Sequence, residues 1–166
     1  MRRLRIRQVK EEIRVLGLAV SNTINGKCIV GAVFRGRLWL DGVISRIALE
    51  FDLSEDIIEM VKTSKHYGQV RVIMIDELAL PPDTSVDPYK LAESLGKPVL
   101  FLHASSDPID GRYMFMWRDR LVTPVGLNEK DALRILEVTT RDSKPEVLRV
   151  ANAIASSIPG TVLHKV

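Results

Sequence analysis

Between Arg14 and Ile47 the chain offers three strand-length segments with very little between them. Arg14 to Val20 reads Arg-Val-Leu-Gly-Leu-Ala-Val, a nearly continuous apolar run of strand length, as expected of a central strand covered on both faces. Asn25-Gly26 is a strong turn signal, and Cys28 to Phe34 supplies a second strand. Arg35-Gly36-Arg37 turns the chain again, and Leu38 to Ile47 resumes a β pattern. Connections this short cannot cross over a sheet, so the three strands form an antiparallel meander.

The pattern then switches. Asp52 or Ser54 can cap a helix whose first turn holds Glu55 and Asp56, where negative charge suits the helix dipole. Ile57, Ile58 and Val61 share one face, Lys62, Lys65 and His66 lie in the last turn, and Gly68 offers a stop. Val70 to Ile75 is a buried strand ending at Asp76-Glu77. After Pro81-Pro82, Asp87 caps a second helix with Pro88 in first position, Leu91, Ala92 and Leu95 as its apolar stripe, and Gly96 at its end. Pro98 to Leu102 is a fifth strand. Helix-bearing crossovers late in the chain imply parallel pairing there. Residues 104–127 give no clear period. Asn128 caps a helix to about Val138, and a last helix runs from Pro145 through Leu148, Ala151, Ile154, Ala155 and Ile158 to Pro159-Gly160.

The order is β-β-β-α-β-α-β followed by helices, an α/β mixed sheet with helices on both faces. A length of 166 residues suits a single domain over 1–166. Hydrophobic residues at 46% and charged residues at 27% exclude a disordered chain. No apolar run reaches membrane-spanning length. The lone Cys28 sits in an apolar strand with no basic neighbour, which reads as a small core residue and fits a reducing, cytoplasmic setting. Residues 1–10 carry Arg2, Arg3, Arg5, Arg7 and Lys10 with no apolar region behind them, so they are not a secretory signal. They form either a solvated edge strand or a basic arm that touches phosphates.

Three stretches carry a family resemblance: His66-Tyr67-Gly68-Gln69-Val70-Arg71-Val72-Ile73-Met74-Ile75-Asp76, Trp39-Leu40-Asp41-Gly42-Val43, and Leu148-Arg149-Val150-Ala151 with Ile154-Ala155-Ser156. Together they resemble the archaeal domain-of-unknown-function family ninety-nine, over about residues 12–103 and 126–158. That family is in turn similar to endonuclease V, a ribonuclease-H-like enzyme that cuts nucleic acid beside deaminated bases. The resemblance implies a ribonuclease-H-like fold with carboxylates gathered from neighbouring strands around Mg²⁺ or Mn²⁺. The physical reason is charge: two carboxylates about 4 Å apart repel by roughly 4 kcal/mol at an effective dielectric of 20, and a divalent ion removes that repulsion.

Asp76 matches a carboxylate position of that pattern and is the candidate metal ligand and catalytic acid; a turn or capping role is the competing reading. The first strand departs from the pattern. Members of the family show Gly-Ile-Asp-Asp there, whereas this chain has Gly17-Leu18-Ala19-Val20, and hydrocarbon binds no metal. Asp41, expected beside the first strand, and Glu55 are candidate replacement acids, set against roles at a strand edge and in a helix first turn. Asp87 reads as a cap, and Asp83 follows Asp76 in a loop. His66 and Tyr67 belong to the resemblance, as nucleic-acid contacts or as packing at a helix end; Arg35 and Arg37 are candidate phosphate contacts. His103 ends a strand with no partner at ligand spacing. Tyr113 to Arg118, with Arg112 and Arg120 nearby, could stack on bases or bury one strand face. No Walker loop or dinucleotide fingerprint is present.

With the first-strand acids gone, the reading is a catalytically degenerate nucleic-acid-binding protein whose partner is DNA or RNA. Two alternatives stand: a divalent-metal-dependent endonuclease on DNA or RNA, and a non-catalytic protein-interaction domain, including a homodimer.

Overall fold

The structure, a computed structural model, describes residues 9–159; the basic arm expected over 1–10 falls almost wholly outside them. Strands β1 (Arg14–Thr23), β2 (Gly26–Arg35) and β3 (Trp39–Ala48) form the meander. Helix α1 (Ser54–Lys62), strand β4 (Val72–Asp76), helix α2 (Pro88–Leu95) and strand β5 (Val99–Leu102) follow. Strands β6 (Phe115–Trp117) and β7 (Arg120–Val125) and helices α3 (Glu129–Thr139) and α4 (Glu146–Ser157) complete the fold.

Among the described residues seven strands form one sheet in the order β3-β2-β1-β4-β5-β7-β6. β1 pairs with β2 antiparallel and with β4 parallel, β4 with β5 parallel, and β7 returns antiparallel to β5 with β6 on the rim. This is the mixed α/β sheet of the ribonuclease-H-like class. It also resolves residues 104–127, whose alternating Phe115-Met116-Trp117 is a rim strand with both rings buried and Met116 exposed. The expectation that Asp41 lies beside the first strand is corrected: a meander puts β2 between β1 and β3.

Burial on two faces explains the continuous apolar run of β1. Val15 and Ala19 join Val30, Ala32, Met74, Leu100, Ile135, Val147 and Ala151 beneath α3 and α4. Leu16, Leu18 and Val20 join Ile29, Ile73, Ile75, Ile57 and Leu91 beneath α1 and α2. Each large apolar side chain so buried contributes about 1.5–3 kcal/mol. Cys28 is buried in the first of these cores, and burial pushes its thiol above the usual range.

The caps follow the sequence at α2 and α3. The Asp87 carboxylate accepts from the Tyr89 and Lys90 amides, Gly96 ends α2 at φ 66°, and Asn128 accepts from the Asp131 amide. At α1 the stop at Gly68 is corrected. The helix ends at Lys62, because the Thr63 hydroxyl and amide both donate to the Glu59 carbonyl, and residues 64–70 proceed in turns. Asp52 accepts from the Ser54 amide, which holds its carboxyl below the usual range.

Gly17 lets α4 approach β1 to backbone contact. A Cβ there would lie 2.9 Å from both the Val147 carbonyl oxygen and its Cγ2. Gly17→Ala should therefore destabilise the fold by about 1–3 kcal/mol, as overpacking against unyielding backbone does. Urea unfolding checks this; a midpoint unchanged from the parent would show that α4 stands off.

Candidate functional site

The carboxyl ends of β1, β4 and β5 lie at one edge of the sheet, the place where open α/β sheets bind ligands. Asp76 closes β4 there with 3% of its surface exposed. By strand alternation from Val72 and Met74 it points to the α3/α4 face. Arg120, the first residue of β7, reaches back across β5 to it. Its Nη2 lies 2.6 Å from Asp76 Oδ1 and its Nη1 3.3 Å from Oδ2, a two-point pairing. The guanidinium also donates to the His103 carbonyl from Nε at 3.1 Å and Nη2 at 2.9 Å. The Leu78 amide donates to Asp76 Oδ1 at 3.0 Å, so the same carboxylate caps the short 3₁₀ turn Glu77–Ala79.

Next to Asp76 the first strand supplies hydrocarbon. The parallel register pairs Leu18 with Ile75, and one step on brings Ala19 level with Asp76 on the same face. Val20 points the other way, into the core beneath α1 and α2. Among the described residues no three His, Cys, Asp or Glu side chains are grouped so as to hold a metal ion. One carboxylate, already neutralised by a guanidinium and flanked by Ala19, is not the donor set that Mg²⁺ or Mn²⁺ needs.

The other candidate acids do not join it. Asp41 is the extra residue of a bulge where Val33 faces Gly42 and Phe34 faces Leu40. There it lies between Arg35 Nε at 3.0 Å and Arg14 Nε at 3.4 Å, at the opening end of β1. That is roughly 15 Å along the strand from the level of Asp76. Glu55 starts α1 on the opposite face; it is 75% exposed and pairs with Lys90 Nζ at 2.6 Å. Asp83 pairs with Lys27 at the end of the β1–β2 hairpin.

The predicted nucleic-acid contacts lie elsewhere too. Arg35 is committed to Asp41, and it lines a small cleft with Arg37, Trp39, Glu11 and Glu12 at the end of the sheet away from Asp76. The His66 ring packs on β3 where Gly42 leaves room, since a Cβ at Gly42 would lie 2.5 Å from Nε2. The Tyr67 hydroxyl donates to the Leu95 carbonyl at 2.7 Å, and the Lys97 ammonium sits over its ring. Both rings therefore join α1, β3 and α2.

Sequence reading named no partner for four further groups. Arg120 appeared only as a base near aromatics. Glu77 accepts from the Ala104 amide at 2.8 Å. His103 is buried, its Nε2 lies 2.6 Å from the Thr123 hydroxyl, and burial lowers its pKa. Glu146, the other buried carboxylate among the described residues, opens α4 and is held by Arg149, which lowers its pKa. The pairings of Arg120, Glu77 and His103 join residues from separate elements, so no local motif announces them, whereas Glu146 and Arg149 stand three apart on one helix.

A family model described as endonuclease dU matches residues 11–112. A UPF0215 protein of Methanothermobacter thermautotrophicus is 35% identical over 92% of this chain and 90% of its own length. The chain belongs to the endonuclease dU family. In fold, this endonuclease dU family member is similar to a protein of unknown function from Archaeoglobus fulgidus, with a TM-score of 0.75 at 19% identity over 89% of this chain and 98% of that one. It is also similar to human ENDOV, with a TM-score of 0.63 at 16% identity over 87% and 83% of the two chains. The domain is thus nuclease-like, and the expected resemblance to endonuclease V holds at the level of fold. Among the described residues no helix is long and apolar enough to cross a membrane.

Two outcomes follow for this edge. Arg120→Ala leaves a buried carboxylate without its cation and should cost about 3–5 kcal/mol by chemical denaturation; a loss under about 1 kcal/mol would mean the pair is solvated. His103 has a lowered pKa when folded, so above about pH 6.5 it is neutral in both states and adds no pH dependence. Below that the unfolded chain takes up the proton first, and stability falls. His103→Gln should flatten that acid slope in melts taken from pH 7 down to 5.

Proposed function

We propose that this endonuclease dU family member is a nucleic-acid-binding domain of nuclease fold that does not cleave. One observation carries the reading: at the edge where Asp76 stands, Ala19 supplies no second acid and Arg120 already saturates the first. The remaining surface of that edge suits a single strand. Arg118 lies over the Trp117 ring at 4.8 Å and Arg112 over the Tyr89 ring at 5.3 Å, while Tyr113 and Met116 are exposed. An open groove of about 470 Å³ lies just past the end of β4, lined by Glu77, Leu78, Leu80, Pro81, Pro82 and Ala104. Arginines on aromatic faces accept bases by stacking and phosphates by charge, with little sequence preference. Arg35 and Arg37 at the other end would be a secondary contact for a longer strand.

The test is anisotropy with labelled DNA and RNA oligonucleotides, with and without deoxyuridine or inosine, across a salt series. Affinity should fall steeply as salt rises, and Arg112→Ala and Arg118→Ala should each weaken binding about fivefold, near 1 kcal/mol. No binding at low salt would reject the reading. Metal-dependent cleavage abolished by Asp76→Asn would overturn its non-catalytic half.

A second reading, self-association, rests on β3. It is an edge strand of ten residues that exposes Trp39, Leu40, Val43 and Ile47. Such an edge ordinarily carries charge that blocks pairing. A dimer seen by sedimentation and dissociated by Val43→Lys would favour it; a monomer at high concentration would remove it.

A further inference from the structure

We infer that Arg120 is a built-in cation that occupies, at the end of β4, the place a divalent metal would need, so that Asp76 is closed to metals and the edge works without them. This extends the non-catalytic half of the proposed function and does not depend on nucleic-acid binding.

The geometry gives the guanidinium everything a metal would provide to this carboxylate. It reaches both oxygens, with Nη2 on Oδ1 at 2.6 Å and Nη1 on Oδ2 at 3.3 Å. It is anchored from behind by the Leu102 and His103 carbonyls, so it is not a free surface arginine that swings away. Asp76 and Arg120 are 4% and 18% exposed in their side chains. A divalent ion would have to displace a charge fixed at short range by several hydrogen bonds, for a single ligand in return. The hydrocarbon at Ala19 and the guanidinium at Arg120 are two sides of one condition. A second carboxylate next to Asp76 would call for more positive charge than one arginine supplies, whereas one carboxylate matches one guanidinium.

The condition can be reversed by substitution. Ala19 and Asp76 stand level on neighbouring parallel strands and face the same side. Carboxylates at both positions would rise from strands about 4.8 Å apart, a separation one hard cation can bridge. Ala19→Asp alone should still bind no Mn²⁺, because Arg120 still pairs with both oxygens of Asp76. Ala19→Asp with Arg120→Gln should bind one Mn²⁺ per chain.

Mn²⁺ binding followed by paramagnetic resonance and calorimetry, with thermal melts, decides the matter. Millimolar Mn²⁺ should leave the wild-type melt unmoved and raise that of the double variant by roughly 2–4 °C or more, a rise lost on adding Asp76→Asn. A structural ion pair without this role would give no such gain of metal binding. Two results overturn the inference: wild-type protein that binds Mn²⁺ in a manner abolished by Asp76→Asn, or a folded double variant that binds none. If the double variant folds only when Mn²⁺ is added, the inference is supported. If it does not fold at all, the wild-type titration decides alone, with metal at Asp76 overturning the inference and its absence supporting it. Loss of oligonucleotide binding, by contrast, would count only against the binding function.

Discussion

A carboxylate buried at the end of a strand must have a positive partner, and much of the arrangement around β4 answers that need. Desolvating an isolated carboxylate costs several kcal/mol even after the protein relaxes. Asp76 meets the cost with Arg120, and the arginine in turn uses the carbonyls that end β5. One side-chain pair thereby ties β4, β5 and β7 together at this edge of the sheet, and it fixes the edge's chemistry as well. The negative charge that would attract a metal is spent within the protein.

The same logic recurs at Glu146, the second buried carboxylate among the described residues, which Arg149 holds one turn along α4. Its neighbour Val147 packs against Gly17, so α4 lies close on β1 with its acid already neutralised. Both buried acids on this face are therefore paired within the chain, while Arg112 and Arg118 lie over aromatic rings.

Most of the architecture was legible in the sequence because it rests on local signals. Asn25-Gly26 and Gly36 fixed the meander, Asp87 with Pro88 and Gly96 framed α2, and the doubly apolar β1 declared itself central. The end of α1 was misjudged, because the hydroxyl of Thr63, five residues short of the next obvious stop at Gly68, captured a helix carbonyl. The vacancy at Ala19 and Val20 was equally plain, since a missing acid is a local fact. What filled the need was not. Arg120 lies 44 residues from Asp76 and behind a segment with no clear period, so its partner could be found only in three dimensions. Asp41 misled for the opposite reason: strand position suggested proximity, but the bulge and the intervening β2 turned it toward Arg14 and Arg35.

The β6–β7 hairpin follows the part of the chain that the family model matches, and it alone delivers Arg120. The meander and the parallel strands are complete before it begins. The chemical character of the edge is therefore assigned by a strand that comes late in the chain and packs into both cores. A relative with the same first five strands but a different residue at the start of that hairpin would present the same carboxylate to solvent as an open anion.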